Sequence, residues 1–418
     1  MTRANGVDLK KLIKNHKDGF SMEKPFYLDA DVFEADMEAV IVPDWHMVDH
    51  ISRIPGAGDY VLFEMAGESI IVIRGKDDEI RAFYNVCRHR GSIICREKQG
   101  NVRMLRCPYH AWSYDLDGSL KAARLMKDDF NADDYGLHPC HIRVCEGLIF
   151  CCLAQGDAPD FDDQMGPMLP FLEFHDLANA KIAHRASYPT EANWKLVMEN
   201  FYECYHCMPA HPEYCEVHPK DYILALGAGE GSGPIESLEE YHPQMIAFDA
   251  LADSMGHPSG KSPVDGENSP YLRGAARTAI KEGYLSETKD GTPAGPLMGK
   301  FTDWDGGYTG VTLNPFFTVL ATNDFATIFR FIPRDATYTD VELIWLVGAD
   351  AEPGKNLDVE KMIWMWDVTT IADKTIIEDN HAGVLSRKYQ PGPYSRHEAG
   401  ANGLIQWYVQ RLTDSQTR

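Results

Sequence analysis

The stretch "CRHRGSIICREKQGNVRMLRCPYH", residues 87–110, decides what the first half of the chain folds into. It brings a Cys and a His close together twice, as Cys87-x-His89 and as Cys107-x-x-His110. Upstream, "YVLFEMAGESIIVIRGKDDEIRAFYNVC" reads as three short β-rich runs separated by Gly- and Asp-containing turns, and Asp117-Gly118 is a hairpin signal just beyond. Both pairs therefore fall at strand ends near turns of a small antiparallel β-domain. Two thiolates and two imidazoles can bind tetrahedral zinc. They can equally hold a [2Fe–2S] cluster with both cysteines on one iron and both histidines on the other. Composition alone does not separate the two.

The 418 residues, 44% hydrophobic and 25% charged, suit a soluble globular protein long enough for two domains. Forty Lys+Arg against sixty-three Asp+Glu give a formal charge of -23, which repels phosphate backbones and anionic membranes, so no nucleic-acid partner is expected. The opening "MTRANGVDLKKLIKNHK" has no apolar h-region, and apolar runs such as Leu148 to Leu153 fall far short of a membrane span. A cytoplasmic location follows as an expectation. In that reducing compartment the ten cysteines are expected to be ligands or small buried apolar residues rather than a disulfide framework.

A second dense stretch is "ENFYECYHCMPAHPEYC", residues 199–215. On a helix starting near Glu191, at about 100° per residue, Glu199, Glu203 and His206 fall near one face, with Cys204 and Cys207 on the flanks. His211 lies off that face, and Pro209 is expected to break the helix and turn His211 back towards His206. A structural dithiol or zinc knuckle would need Cys204 and Cys207 to face a shared point with two more ligands; both are expected to be packing residues. The alternative is an Fe(II) centre of two His and one carboxylate, with open positions for O₂.

The rest organises around these stretches. A polar segment after "CEGLIFCCLAQGDAPDFDD" marks a domain boundary, giving residues 1–44 as a helical segment packing with the catalytic domain, 45–160 as the β-domain and 161–418 as the catalytic domain. Residues 226–300, rich in Gly, Pro and Ser, read as a surface excursion or lid, with "GAGEGSG" a flexible loop rather than a phosphate cradle. Strands return at "YTGVTLNPFFTVLAT", "FATIFRFIPR" and "YTDVELIWLVGAD", and a helical tract runs from about Leu357 to Leu385.

The order "CRHRG", eight residues, "GN", five residues, "CPYH" resembles the Rieske signature of the ring-hydroxylating oxygenase family, down to Arg90-Gly91 and Tyr109. The segment "NWKLVMENFYECYHCMPAHPEY" is similar to that family's catalytic motif of an acid, two residues, His, four residues, His, here Glu203, His206 and His211. The resemblance implies an α+β chain: an N-terminal antiparallel β Rieske [2Fe–2S] domain and a catalytic domain of curved antiparallel sheet with helices, of helix-grip type. It implies Cys87, His89, Cys107 and His110 as cluster ligands, Trp112 beside the cluster, and mononuclear Fe(II) on His206 and His211. Acids available for the third position include Asp367, Asp373, Glu378 and Asp379. In relatives that oxidise trimethylammonium compounds the ligand Asp stands five residues before an acid and ahead of a "GL.S..Y..G.YS" segment. Here Asp373, Glu378 and "GVLSRKYQPGPYS" match, which selects Asp373 with Asp379 in reserve, although His381 stands where Gln is usual.

The resemblance further implies that Glu203 is not a ligand but a bridge to His110 of a neighbouring subunit, hence a homotrimer. It implies a separate NAD(P)H-dependent reductase, with a small-molecule substrate and O₂ as the reactants. Glu rather than the commoner Asp at this place points to the betaine group and to O₂-dependent N-demethylation of proline betaine, glycine betaine or a similar compound, releasing formaldehyde. Tyr202, Trp304, Tyr308, Phe316 and Phe317 are candidate aromatic faces for the ammonium. The competing readings are the α subunit of an aromatic-ring dioxygenase, which would form a cis-diol, and a Rieske electron carrier without catalysis of its own.

Overall fold

Ile70 to Ile73 is a run of four β-branched residues, and the computed structural model buries all of them completely. Their strand, Glu68–Arg74, is central, paired with Asp59–Met65 and with Ile80–Tyr84, and its side chains alternate between faces: Ile71 and Ile73 enter the core with Cys87 and Cys107, and Ile70 and Val72 are buried on the opposite face. The structure describes residues 7–219, 238–262 and 269–416. The chain divides into two units, Val42–Phe161 and the remainder on either side of it.

The smaller unit is antiparallel throughout. A four-stranded sheet is completed by Gln99–Asn101, and two three-stranded sheets flank it in sequence. One is Trp45–His50, Leu148–Cys152 and His141–Cys145; the other is Leu105–Arg106, Ser113–Tyr114 and Leu120–Ala122. Its core gathers Ile71, Ile73, Leu105, Trp112 and Tyr114, and Cys87 and Cys107 sit in the same cluster. The two loops that carry Cys and His close alike. Gly91 N–H donates to the Cys87 carbonyl at 2.9 Å, and Ala111 N–H to the Cys107 carbonyl at 3.1 Å. Each loop then leaves through a left-handed residue, Gly91 at φ 75° and Ala111 at φ 62°. Glycine meets that demand freely, whereas at Ala111 it costs about 1 kcal/mol.

The larger unit is built on a seven-stranded antiparallel sheet. Its order is Lys181–Thr190, Tyr338–Val347, Phe325–Asp335, Phe317–Ala321, Gly307–Asn314, Gly274–Ala279 and Gly260–Lys261. The 26-residue helix Val359–Val384 lies against the first strand, where Tyr188 Oη donates to Asp367 Oδ1 at 2.6 Å. The N-terminal residues join this unit through buried Asp36, which accepts from Trp194 Nε1 at 3.0 Å, from the Lys195 ammonium and from the Tyr408 hydroxyl. Among the described residues no helix is long and apolar enough to cross a membrane.

Residues 226–300 differ from the expected surface excursion. "GAGEGSG" lies outside the described residues, but Leu238–Met255 is a helix and Gly274–Ala279 a strand within the large sheet. Its small side chains hid that strand in the sequence. They are small because the strand is covered: Ala279 packs with Phe248 and Ala252 of the helix. Buried Arg277 fills the remaining space, donating to Asp305 Oδ1 at 2.7 Å and Asn323 Oδ1 at 3.0 Å.

Glu199 supplies a pH-dependent element. Its carboxylate accepts from Tyr27 Oη at 2.7 Å and Tyr394 Oη at 2.9 Å, tying the helix Trp194–Phe201 to both ends of the chain. Burial raises its pKa from 4.5 to about 7, against the pull of the two hydroxyls and Lys195 and with a small push from Glu398. Between those values the folded state holds more protons than the unfolded one, so stability falls as pH rises through the window, by at most about 1.4 kcal/mol per pH unit. Glu199→Gln lacks this component. The difference in melting temperature, variant minus wild type, should grow in the variant's favour from pH 5 to pH 8 in parallel thermal scans.

Candidate metal centres

In the larger unit the helix Trp194–Phe201 starts at Asn193, whose side chain accepts from Lys195 N–H, and stops at Phe201. The stop comes earlier than expected. Pro209 does not cause it, since Pro209 lies in the first turn of the next short helix, Cys207–Ala210, where a missing N–H is no loss. The Glu203 carboxylate captures the Tyr205 and His206 backbone N–H groups, the latter at 3.2 Å, and this competes with continuation of the helix. His211 sits at the junction between Cys207–Ala210 and Pro212–Val217. Asp373 is in the middle of Val359–Val384.

These elements bring His206, His211 and Asp373 together. One ligand atom from each lies within 4.8 Å of the others, and among the described residues this is the group of that kind. His211 Nε2 is 2.8 Å and His206 Nε2 3.2 Å from Asp373 Oδ1. Glu203 Oε1 takes His206 Nδ1 at 2.6 Å, which fixes the imidazole with Nε2 turned inward. Burial works to raise the Asp373 carboxyl, but the two imidazoles outweigh it and hold it below the usual carboxylate range. Burial lowers His206 in turn, and the Asp373 and Glu203 carboxylates more than reverse this, to about 9. Two inward Nε2 atoms and one carboxylate oxygen fit a non-haem Fe(II) site of the two-His, one-carboxylate kind. No hydrogen bond reaches His211 Nδ1, and Glu213 Oε1 stands 3.6 Å from it.

The other candidate acids of the long helix are engaged elsewhere or face away. Asp367 holds Tyr188, Glu378 holds Lys374 and accepts from Glu191 N–H at 2.9 Å, and Asp379 is exposed. Cys204 and Cys207 are not simple packing residues: a disulfide joins them.

A small cavity of about 20 Å³ opens beside Asp373, with Asn200, Phe201, Phe329, Phe331, Thr370 and Lys374 in its lining. The three phenylalanine rings stand 5.0 to 6.2 Å apart, centre to centre. None of Tyr202, Trp304, Tyr308, Phe316 or Phe317 lines it. Alternation along Phe325–Asp335 was the signal for two of the rings, since Phe329 and Phe331 share a strand face.

In the smaller unit Cys87 and Cys107 are buried and not disulfide-bonded. Tyr114 Oη lies 3.3 Å from Cys87 Sγ and accepts from Arg88 N–H at 3.1 Å. The His89 and His110 rings are 4.6 Å apart, and His89 stacks on Trp112 at 4.8 Å. His89 Nδ1 is buried without a hydrogen-bond partner, an orphan that a metal ligand would explain. Two adjacent sulfurs and two adjacent imidazoles, one with a vacant buried nitrogen, fit a [2Fe–2S] cluster.

The profile of the Rieske [2Fe–2S] domain matches residues 44–135, and that of the ring-hydroxylating α-subunit catalytic domain matches residues 177–414. The chain belongs to the Rieske non-haem iron oxygenases, with a Rieske cluster and a mononuclear iron as its cofactors. It is similar to the glycine betaine monooxygenase oxygenase subunit of Pseudomonas aeruginosa, at 32% identity over 97% of this chain and 92% of the relative. The same-named subunit of Chromohalobacter salexigens is 34% identical over 95% of this chain and 87% of the relative. A solved quaternary ammonium Rieske monooxygenase shares the fold, with a TM-score of 0.71 at 24% identity over 96% and 97% of the two chains.

Proposed function

We propose that this chain is the oxygenase component of a Rieske-type system that removes an N-methyl group from a betaine: proline betaine, glycine betaine or a similar compound. The observation that carries the reading is the convergence of His206, His211 and Asp373 within 4.8 Å of one another, in a chain that also brings the Cys87, His89, Cys107 and His110 loops together. Similarity to glycine betaine monooxygenase subunits over nearly the full chain supports it.

Cys87, His89, Cys107 and His110 would hold the cluster; His206, His211 and Asp373 would hold the iron. When bound, the two centres supply electrons and activate O₂. The protein's own part is positional. Glu203 keeps the His206 imidazole in the tautomer that offers Nε2 inward. Phe201, Phe329 and Phe331 exclude water, and the small cavity beside them has to widen on substrate entry to bring the ammonium against their rings. Across subunits of a homotrimer, Glu203 also meets His110 of a neighbour and completes a hydrogen-bonded electron path. A separate reductase delivers the electrons from NAD(P)H. Overall, two electrons and two protons reduce one oxygen atom of O₂ to water while the other enters a methyl C–H bond. The resulting carbinol loses formaldehyde and a proton, leaving a tertiary amine.

Protein reconstituted with reductase, NADH and O₂ should release one formaldehyde per betaine consumed. A cis-diol from an arene, without formaldehyde, would assign the chain to aromatic-ring dioxygenation instead. Electron transfer with no product from either, unaltered by His206→Ala, would make it a carrier. Within the betaine reading, each ring face contributes about 0.5–2 kcal/mol, so Phe329→Leu should raise KM roughly two- to thirtyfold. Inhibition by the uncharged-centre isostere 3,3-dimethylbutyrate should change much less; equal losses for both would mean packing, not cation binding.

A further inference from the structure

The disulfide between Cys204 and Cys207 brackets His206, and Cys207 Sγ lies 4.0 Å from His206 Nε2. That nitrogen is the one turned toward Asp373, because Glu203 occupies Nδ1. The Cys207 sulfur is therefore beside one donor atom of the site, on a side chain whose rotation the disulfide prevents. Its partner is the more accessible of the two: Cys204 is partly exposed while Cys207 is buried.

We propose that the Cys204–Cys207 pair is a redox gate on the mononuclear centre: oxidised, it withholds the Cys207 sulfur from the metal; reduced, it frees that sulfur as a fourth donor. The inference rests on the reading of His206, His211 and Asp373 as metal ligands. An attacking thiolate reaches the partly exposed Cys204 sulfur first. The S–S bond breaks, and Cys207 leaves as thiolate beside the site. The second thiol of a dithiol reductant then displaces the mixed disulfide, so the reductant becomes a disulfide and the protein gains two electrons and a Cys204 thiol. Catalytic metal sites keep an open position and structural ones are closed. A thiolate added to two imidazoles and a carboxylate closes this one. It also shifts the preference from iron towards zinc, which is softer-ligand tolerant and higher in the affinity order.

The test uses the full chain with its cluster assembled and the mononuclear site loaded with zinc. Zinc K-edge X-ray absorption is recorded before and after a water-soluble phosphine, which is oxidised to its oxide by water oxygen as the disulfide opens. Before reduction only N and O neighbours at about 2.0–2.2 Å are expected; afterwards one sulfur should appear at about 2.3 Å. Cys204→Ser should show the sulfur without reductant, and Cys207→Ser should never show it. Zinc retained with an unchanged N/O shell, while alkylation counts two newly freed thiols, overturns the gate and leaves the ligand assignment standing. Failure of zinc to load in the oxidised protein and in both variants overturns the ligand assignment and the gate together.

Discussion

Glu203→Gln protein should keep its full complement of iron and an unaltered Rieske spectrum, yet lose most of its turnover. The Gln carboxamide matches Glu in size, and its single oxygen can still accept from the Tyr205 and His206 N–H groups that shape the turn. The two inward Nε2 atoms and Asp373 are untouched, so the proposed ligands of the iron all stay in place. What changes is the contact with His206 Nδ1, now 2.6 Å from a carboxylate oxygen. Only one end of Gln can accept, and with that end held by the backbone the amino group confronts the imidazole N–H. The ring loses its charged partner and, in the proposed trimer, the continuous link to a neighbour's His110. Losing an outer partner of a metal-bound His typically costs about 10–100-fold, and a broken electron path adds to that. Reoxidation of a pre-reduced cluster by O₂ and substrate, followed in single turnover, reads the transfer directly. Glu203→Asp, which keeps the charge but shortens the reach, should fall between. Near-normal turnover in the Gln variant would remove the bridging role.

Asp373→Ala should lose the mononuclear iron and all product formation while the cluster stays intact. With a [2Fe–2S] cluster and one further iron, metal analysis should fall from about three irons per chain to about two. His206 and His211 alone offer two neutral donors, and the variant also removes the charge that both imidazoles face at 2.8 and 3.2 Å. Asp379→Ala is the control, since that side chain is exposed on the same helix and should retain both the third iron and activity. A reversed result would move the site.

How much of this was legible in the sequence depended on distance along the chain. The cluster loops were legible because each Cys–His pair is local and the turn signals lie beside it. Strands with β-branched and aromatic runs, such as Tyr338–Val347, were legible for the same reason. The break after Phe201 was not, because a carboxylate that captures backbone amides leaves no mark as plain as a proline. The Cys204–Cys207 bond was missed because a reducing compartment argued against disulfides, so two cysteines three residues apart, neighbours on a helix surface, read as packing residues. The wall of the cavity was missed because choosing which face of Phe325–Asp335 meets the iron side requires the sheet and helix to be placed first. The strand around Arg277 reads as loop until its cover of helix Leu238–Met255 is known.

His211 and Asp373 are 162 residues apart in the chain, yet their side chains touch. Under the proposed ligand assignment the two imidazoles emerge on the ribosome long before the carboxylate that completes the set, and a half-built pair holds metal weakly. Filling of the site is deferred until the last third of the polypeptide has been made and has docked. Metal loading becomes in effect a proofreading step, registering only those chains in which the distant ends have found each other. A bound ion that ties so wide a loop also limits the freedom of any partially opened form, so stripping it should loosen the larger unit well before the cluster-bearing one.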